Sequence, residues 1–184
     1  MIKSIKTSRG TIVIRQSNLA DEWNFRDLRL EALQDSPTAF SMDYQHSLSY
    51  PTKYWEDSLV MDDNESAIFF AENDGKLLGM TGIARGRSPK THHGADIWGV
   101  YVTSSWRGLH IAEELIRSCI EWAKTRGIVI LRLAVVATNK SAIRCYERCG
   151  FTTYGTEPRS LLYEGKFYDE FLMSLPLEIR NFPS

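Results

Sequence analysis

The chain has 184 residues, of which 43% are hydrophobic and 24% are charged, and its formal net charge is −1 at neutral pH. This length and composition are typical of one globular domain, so we expect residues 1–184 to fold as a single unit. The near-zero net charge argues against a protein that binds nucleic acid or a membrane surface through charge. No apolar run approaches the roughly 20 residues of a membrane-spanning helix. Three cysteines without a disulfide or zinc spacing favour a cytoplasmic protein with no metal site.

Predicted strands and helices alternate along the chain. Period-2 and period-3.6 patterns, together with Gly, Pro and Asn turn signals, give the boundaries. In chain order we predict a strand at 11–15, a helix at 21–33, a loop at 36–50, a helix at 51–59, strands at 67–71, 77–84 and 95–102, a helix at 108–126, a strand at 128–136, a helix at 140–149, and strands at 152–158 and 167–175. The tail from residue 176 to residue 184 is expected to be peripheral.

The segment from residue 98 to residue 112 carries the strongest functional signal. An apolar strand is followed by a short polar turn, then by a basic loop containing Gly108, and then by an amphipathic helix. The first N–H groups of a helix have no intrahelical partner and lie at the positive end of its dipole. Arg107 adds a planar guanidinium that suits phosphate. We therefore expect a phosphate or pyrophosphate to bind at residues 107–112.

This loop differs from the two commonest phosphate-binding motifs. The chain contains neither G-x-x-x-x-G-K-[ST] nor a G-x-G-x-x-G after a strand, which argues against a P-loop hydrolase and a dinucleotide-binding domain. The loop resembles instead the acetyl-CoA signature of the GNAT acetyltransferases, Gln/Arg-x-x-Gly-x-Gly/Ala, with Arg107 and Ala112 at matching positions. His110 stands where that family has glycine, a residue that approaches phosphate closely and tolerates a positive φ. Either His110 weakens the cofactor site, or its backbone fits in an ordinary helical conformation.

A second block, at residues 139–151, resembles the other signature of the same family. That signature reads Asn-x-x-Ala-x-x-x-Tyr-x-x-x-Gly-Phe, and every specified position matches: Asn139, Ala142, Tyr146, Gly150 and Phe151. Asn139 is expected to cap a helix, Ala142 and Tyr146 to share one of its faces, and Gly150 to end it. Two such blocks in the family's order, about 30 residues apart, make the resemblance specific.

The resemblance implies a fold and an activity. The fold is α/β (α+β), a mixed and strongly twisted sheet of six or seven strands with helices on both faces, and the order of predicted elements fits it. The activity is transfer of an acetyl group from acetyl-CoA to a primary amine of a small molecule or peptide, by direct attack in a ternary complex. Dimers are common in the family, so a homodimer is a further expectation.

The resemblance also implies roles for individual residues. Tyr146 corresponds to the general acid, and Asp96 stands where histone-type members carry a glutamate base. Because Asp96 is one methylene shorter than glutamate, a water relay is favoured over direct contact with the amine. The backbone N–H of Val102 is expected to stabilise the oxyanion. The cofactor is expected to contact the central strand, the phosphate loop and the second block, through Val100, Tyr101, Val102, Arg107, Gly108, Leu109, His110, Ile111, Ala112, Asn139 and Tyr146.

Two questions stay open at this point. The glycine replaced by His110 motivates an alternative function, a non-catalytic acyl-CoA-binding sensor or interaction module with the same fold. The acceptor is also undefined, although carboxylates favour a cationic amine such as a polyamine, an aminoglycoside or a lysine side chain. These carboxylates are Asp35, Asp43, Glu56 and Asp57. Four aromatic residues line the acceptor site or belong to the core: Tyr50, Tyr54, Trp55 and Trp98.

Overall fold

The computed structural model describes residues 2–60 and 62–178, and this part of the chain forms one eight-stranded sheet with five α-helices. The strands are β1 (Ile2–Thr7), β2 (Gly10–Gln16), β3 (Ser66–Asn73), β4 (Lys76–Arg85), β5 (Gly94–Val102), β6 (Ile130–Val136), β7 (Thr152–Tyr163) and β8 (Lys166–Pro176). The helices are α1 (Glu22–Asp35), α2 (Tyr44–Leu48), α3 (Thr52–Leu59), α4 (Ile111–Thr125) and α5 (Lys140–Arg148).

The sheet is mixed, with the strand order β1-β2-β3-β4-β5-β6-β8-β7. β5 and β6 run parallel, whereas the other neighbouring strands of the described sheet run antiparallel. The predicted fold class is thereby confirmed. The sheet has eight strands rather than six or seven because β1 precedes the first predicted strand. The short β1 pairs with β2 alone and is largely exposed, so its sequence lacks a strong apolar pattern.

Helices cover both faces of the sheet because side chains of each strand alternate between them. On one face Phe69 of β3 packs in a cluster that includes Leu115 of α4. On the other face Phe70 packs against Phe25 of α1, which in turn contacts Trp55 of α3. Trp55 is 2% exposed and belongs to the core.

The segment at 36–50 and the last hairpin also differ from the sequence prediction. The segment predicted as a loop at 36–50 contains the short helix α2, which Asp43 caps by accepting a 2.8 Å hydrogen bond from the backbone N–H of His46. β7 and β8 are longer than predicted and meet at a tight turn in which Glu164 and Gly165 both have positive φ. Register shifts between β7 and β8 interrupt the alternation of inward and outward side chains along β7, so the sequence pattern does not show the full length of this strand.

The C-terminal segment is partly more buried than predicted. β8 includes Pro176, and Leu177 is only 8% exposed, with its N–H donating to the carbonyl of Val129 at 2.8 Å. The rest of the tail predicted as peripheral, residues 179–184, lies outside the described residues. No helix within residues 2–60 and 62–178 combines the length and apolarity needed to cross a bilayer.

The packing of α4 on the sheet predicts a large stability effect at Leu115, which is fully buried. Leu115→Ala should lower the free energy of unfolding by about 2–5 kcal/mol, because it removes buried apolar volume and leaves a cavity. Leu162→Ala is the matched control, since Leu162 is 62% exposed, and it should change stability by less than about 0.5 kcal/mol. Urea denaturation of both variants measures the difference, and equal losses would contradict this packing.

Candidate active site

The site begins where β5 and β6 separate. The two strands pair only over three residues each, from Gly94 opposite Ile130 to Asp96 opposite Arg132. Beyond that point β5 continues to Val102 and β6 to Val136, and the described structure records no pairing between them. The divergence opens a cleft in the sheet and leaves one edge of β5 without a partner strand.

Two adjoining cavities occupy this cleft. The larger, of about 570 Å³, lies against the end of β5, the loop before α4 and one face of α5. The narrower, of about 70 Å³, lies between the separated parts of β5 and β6. Several residues line both: Ala39, Phe40, Val100, Asn139, Ala142 and Tyr146. Tyr146 therefore stands at the junction of the two cavities.

The backbone of β5 offers hydrogen-bonding groups to the cleft at alternate residues. Thr103 donates its N–H to the carbonyl of Leu78 at 2.8 Å, and Tyr101 is opposite Met80 in the β4–β5 ladder. Because the direction of backbone groups alternates in an antiparallel pair, Val102 points its N–H and C=O away from β4, towards the cleft. The backbone N–H and C=O of Tyr101 point towards β4, so Tyr101 lines the larger cavity with its side chain.

The loop before α4 contains two residues in the left-handed region. Gly108 has φ +78° and His110 has φ +59°, and this geometry is the reason why α4 begins at Ile111 rather than at residue 108. The expectation of an ordinary helical conformation at His110 is therefore wrong, since His110 adopts the backbone conformation for which glycine is suited. The first helical N–H groups, at residues 111–113, have no intrahelical acceptor, and such groups are suited to binding an anion.

Arginine side chains surround the larger cavity. Arg107 donates from Nε to the carbonyl of Val102 at 3.0 Å and forms an ion pair with Asp35. Arg144 and Arg148 of α5 also line the cavity, and the sequence analysis missed both. Their i, i+4 spacing, on the helix that carries the second signature, is the signal that would have found them.

Of the other loop residues predicted to bind the cofactor, all but Leu109 line the larger cavity. Gly108, His110, Ile111 and Ala112 line the larger cavity. Leu109 does not line it and instead packs against the core cluster beneath α4, so the structure does not bring its side chain to the site.

A buried carboxylate organises the start of α4. Glu113 is 7% exposed and accepts hydrogen bonds from Nδ1 of His110 at 2.9 Å and from Nε of Arg148 at 2.8 Å. Burial acts to raise the pKa of Glu113, but the hydrogen bonds from His110 and Arg148 outweigh it and hold the pKa below its ordinary value. Glu113 therefore stays ionised and ties the loop to α5.

Tyr146 and Asn139 occupy the predicted positions on α5. Asn139 caps the helix by accepting from the N–H of Ala142 at 3.2 Å, and Gly150 follows the helix with φ +95°. Burial raises the pKa of the Tyr146 hydroxyl well above its usual range, and the neighbouring Cys145 acts in the same direction. The phenol of Tyr146 is therefore protonated at neutral pH, as a general acid must be.

The structure does not bring Asp96 together with these residues. Asp96 lies at the closed end of the cleft, accepts a 3.1 Å hydrogen bond from Nε of Arg132, and lines neither cavity. Its side chain is 59% exposed. The position and the ion pair both argue against the predicted role of Asp96 as the base.

Comparison with known proteins now decides the family. The model of the acetyltransferase (GNAT) family matches residues 27–151. The chain belongs to the GNAT family. One relative of this GNAT chain is an uncharacterized N-acetyltransferase from Methanocaldococcus jannaschii, 29% identical over 73% of the chain, although the chain spans only 62% of that protein's length.

Two further proteins are similar to this chain, one in sequence and one in structure. An L-methionine sulfoximine/L-methionine sulfone acetyltransferase from Pseudomonas paraeruginosa is 24% identical over 73% of this chain and 86% of its own length. YncA from Salmonella typhimurium, solved with its cofactor acetyl-CoA, superposes with a TM-score of 0.76 at 19% identity, over 94% of this chain and 98% of its own. The GNAT chain thus shares its fold with a solved protein that holds acetyl-CoA.

The left-handed conformation at His110 predicts a difference between two substitutions. His110→Gly and His110→Ala both remove the hydrogen bond to Glu113, but only alanine keeps a Cβ at a positive φ. The glycine variant should therefore be more stable than the alanine variant by about 1 kcal/mol. Thermal and urea unfolding measure the difference, and an alanine variant as stable as the glycine variant would refute the assigned conformation.

Proposed function

We propose that this GNAT protein is an acetyl-CoA-dependent N-acetyltransferase that uses Tyr146 as its general acid. The observation that carries the proposal is the position of Tyr146 at the junction of a large arginine-lined cavity and a narrow cavity. The donor would enter from the first cavity and the amine from the second. The two substrates would then meet beside a protonated phenol and the outward-facing N–H of Val102.

The larger cavity fits the chemistry of the donor. A pyrophosphate requires several N–H donors and positive charge, and the loop at 107–112 supplies the unpaired N–H groups of the first turn of α4. Arg144 and Arg148 add positive charge near the same cavity. The amide groups of the pantetheine arm would pair with the backbone of Val100 and with the carbonyl of Val102, at the edge of β5 that β6 leaves without a partner, and the N–H of Val102 stays free for the reaction.

Acetyl transfer then requires three events at the junction. The amine nitrogen attacks the thioester carbon, and the N–H of Val102 donates to the oxygen that becomes negative. The C–S bond breaks as the tetrahedral intermediate collapses, and Tyr146 gives its proton to the departing sulfur. The attacking nitrogen loses a proton as it becomes an amide, and water carries that proton to the Tyr146 phenolate, so the side chain leaves the cycle unchanged.

The proton of the incoming ammonium needs another route. An amine with a pKa near about 10 arrives protonated. The described lining of the narrow cavity contains no carboxylate, and Asp96 lies outside it. We infer that water in the cleft accepts this proton, so the rate should rise with pH as the unprotonated fraction of the amine increases.

The same fold without turnover, an acyl-CoA-binding sensor, is the alternative that His110 raises. Because His110 holds the backbone conformation suited to the loop and its side chain contacts Glu113, the substitution leaves the anion site formed. The experiment that separates the alternatives is release of CoA thiol from acetyl-CoA across a panel of primary amines. Binding of acetyl-CoA without release by any amine would favour the sensor.

Tyr146→Phe is predicted to lower kcat by about 100-fold or more and to change the Kd for acetyl-CoA by less than about threefold. The hydroxyl supplies a proton only as the C–S bond breaks, whereas the ring that fills the cavity is retained. Thiol-release kinetics and calorimetry measure the two quantities. Retention of wild-type kcat would remove Tyr146 as the acid.

Asp96→Asn is predicted to change kcat/KM by less than about threefold at any pH between 6 and 9. Asp96 is exposed, pairs with Arg132 and lines neither cavity, so its charge is not required for proton transfer. Measuring kcat/KM of this variant beside that of Tyr146→Phe compares an ionisable residue that lines the cavities with one that does not. A large fall in kcat/KM, strongest at low pH, would restore Asp96 as the base.

We also propose that the protein acts in the cytoplasm. Cys119, Cys145 and Cys149 are free in the described structure, and a reducing compartment keeps them so. The expected homodimer remains a prediction that follows from the family resemblance.

A further inference from the structure

A buried cation without a counter-ion lies on α1, next to the narrow cavity. Arg29 is 6% exposed, and its Nη1 atom is buried and makes no hydrogen bond in the described structure. The guanidinium stacks on the ring of Phe40 at 4.7 Å, and its Nη2 donates at 3.3 Å to the sulfur of Met42. A thioether is a weak acceptor, so the guanidinium has no strong hydrogen-bonding partner.

Such an arrangement is costly and calls for an explanation. Burial lowers the pKa of Arg29 to about 10, which still leaves it fully charged at neutral pH. A buried charge is normally paired, and a planar guanidinium forms its strongest contacts with carboxylates, through two parallel hydrogen bonds. A buried guanidinium without a carboxylate beside it is therefore a candidate binding group for an anionic ligand.

The unpaired atom is adjacent to the cavity in which the acceptor would bind. Gly99 lines the narrow cavity, and a Cβ placed on it would lie 3.5 Å from Nη1 of Arg29. Apart from residues 98 and 100, no other heavy atom would lie within 4 Å of that Cβ. Phe40, the stacking partner of Arg29, lines both cavities. Arg29 itself lines neither cavity, and its guanidinium lies directly behind Gly99 and Phe40, which do.

The carboxylates that favoured a cationic acceptor are largely engaged elsewhere. Asp35 pairs with Arg107, Asp43 caps α2, and Asp57 pairs with Lys53 at 2.9 Å. The described lining of the narrow cavity contains no acidic side chain. The described lining of the narrow cavity therefore offers no negative charge to a cationic acceptor.

We propose that Arg29 is a specificity-determining residue that binds a carboxylate of the acceptor, so that the acceptor is an amino acid or a closely related amino carboxylate. The acceptor carboxylate replaces the Met42 sulfur as the partner of the guanidinium, and the segment at 40–42 moves to admit it. This contact places the amine, a few bonds away, towards Tyr146. The inference rests on the proposed acetyltransferase activity and adds the class of its acceptor.

The first test uses the wild-type protein and matched acceptors. L-leucine, L-leucinamide and 3-methylbutylamine keep the same side chain and differ at the carboxylate, and L-phenylalanine with its amide and 2-phenylethylamine forms a second set. We expect kcat/KM in each set to be at least about 100-fold higher for the amino acid, because a site built for a polar group rejects an analogue that lacks it. Equal use of acid, amide and amine would overturn the assignment of Arg29.

The second test changes the guanidinium. In Arg29→Gln the preference for the amino acid over its amide should fall below about tenfold, and Arg29→Lys should keep an intermediate preference. Arg26→Gln is the matched control, since Arg26 lies on the same helix and pairs with the exposed Asp27, and it should keep the wild-type preference. A wild-type preference in folded Arg29→Gln would assign carboxylate recognition to another residue and refute the proposal.

Two equilibrium measurements separate failure of this proposal from failure of the proposed function. Calorimetry with acetyl-CoA reports donor binding and the folded state of each variant, independently of the acceptor. Thermal unfolding with CoA and millimolar amino acid reports acceptor binding without turnover. Donor binding with no stabilisation by any amino acid would refute the carboxylate site alone. If the wild-type protein does not bind acetyl-CoA, the acetyltransferase assignment is refuted. A rise in its unfolding temperature with amino acids would still support carboxylate binding at Arg29.

Discussion

The short parallel pairing of β5 with β6 is the constraint on which the rest of the site depends. The two strands are hydrogen-bonded over three residues and then separate, while both keep their outer neighbours, β4 and β8. Separation costs backbone hydrogen bonds within the sheet, and those groups become available to a ligand that itself carries amides. The helices that follow, α4 after β5 and α5 after β6, therefore begin at the same open end of the cleft. Two helix N-termini and a free strand edge converge there because of the chain order.

Local interactions then adapt this end of the cleft to an anion. His110 takes a left-handed conformation that is unfavourable for a residue with a Cβ, and its hydrogen bond to Glu113 offsets part of that cost. Glu113 in turn holds Arg148, so one buried carboxylate connects the loop before α4 to the face of α5. A negative charge in the first turn of a helix also suits the dipole of α4. The loop is consequently organised by side chains of the protein itself.

The sequence predicted most of the fold and most of the residues that line the larger cavity, because both depend on local signals. The caps at Asn139 and Gly150, the shared face of Ala142 and Tyr146, and the strand before Arg107 are readable from spacing alone. The acceptor side was not readable. The partners of Asp35 and Asp96 are far away in the chain, and only the folded structure shows that they are ion-paired. In the sequence, Arg29 is one of several charged residues in the predicted helix at 21–33. Its neighbours Phe40 and Gly99 lie elsewhere in the chain, and no local pattern connects them to it.

The long hairpin of β7 and β8 has a consequence for self-association. β7 is an outer strand of the sheet, and an outer strand presents unpaired backbone groups to any other chain. Here Pro158 supplies no N–H, and the register shifts near 153–155 and 157–161 break the even spacing of the remaining groups. A second copy cannot extend the sheet along β7 as a regular ladder. Uncontrolled strand addition, the first step towards fibrils, is thereby disfavoured at this edge, and copies that meet along β7 must do so through side chains.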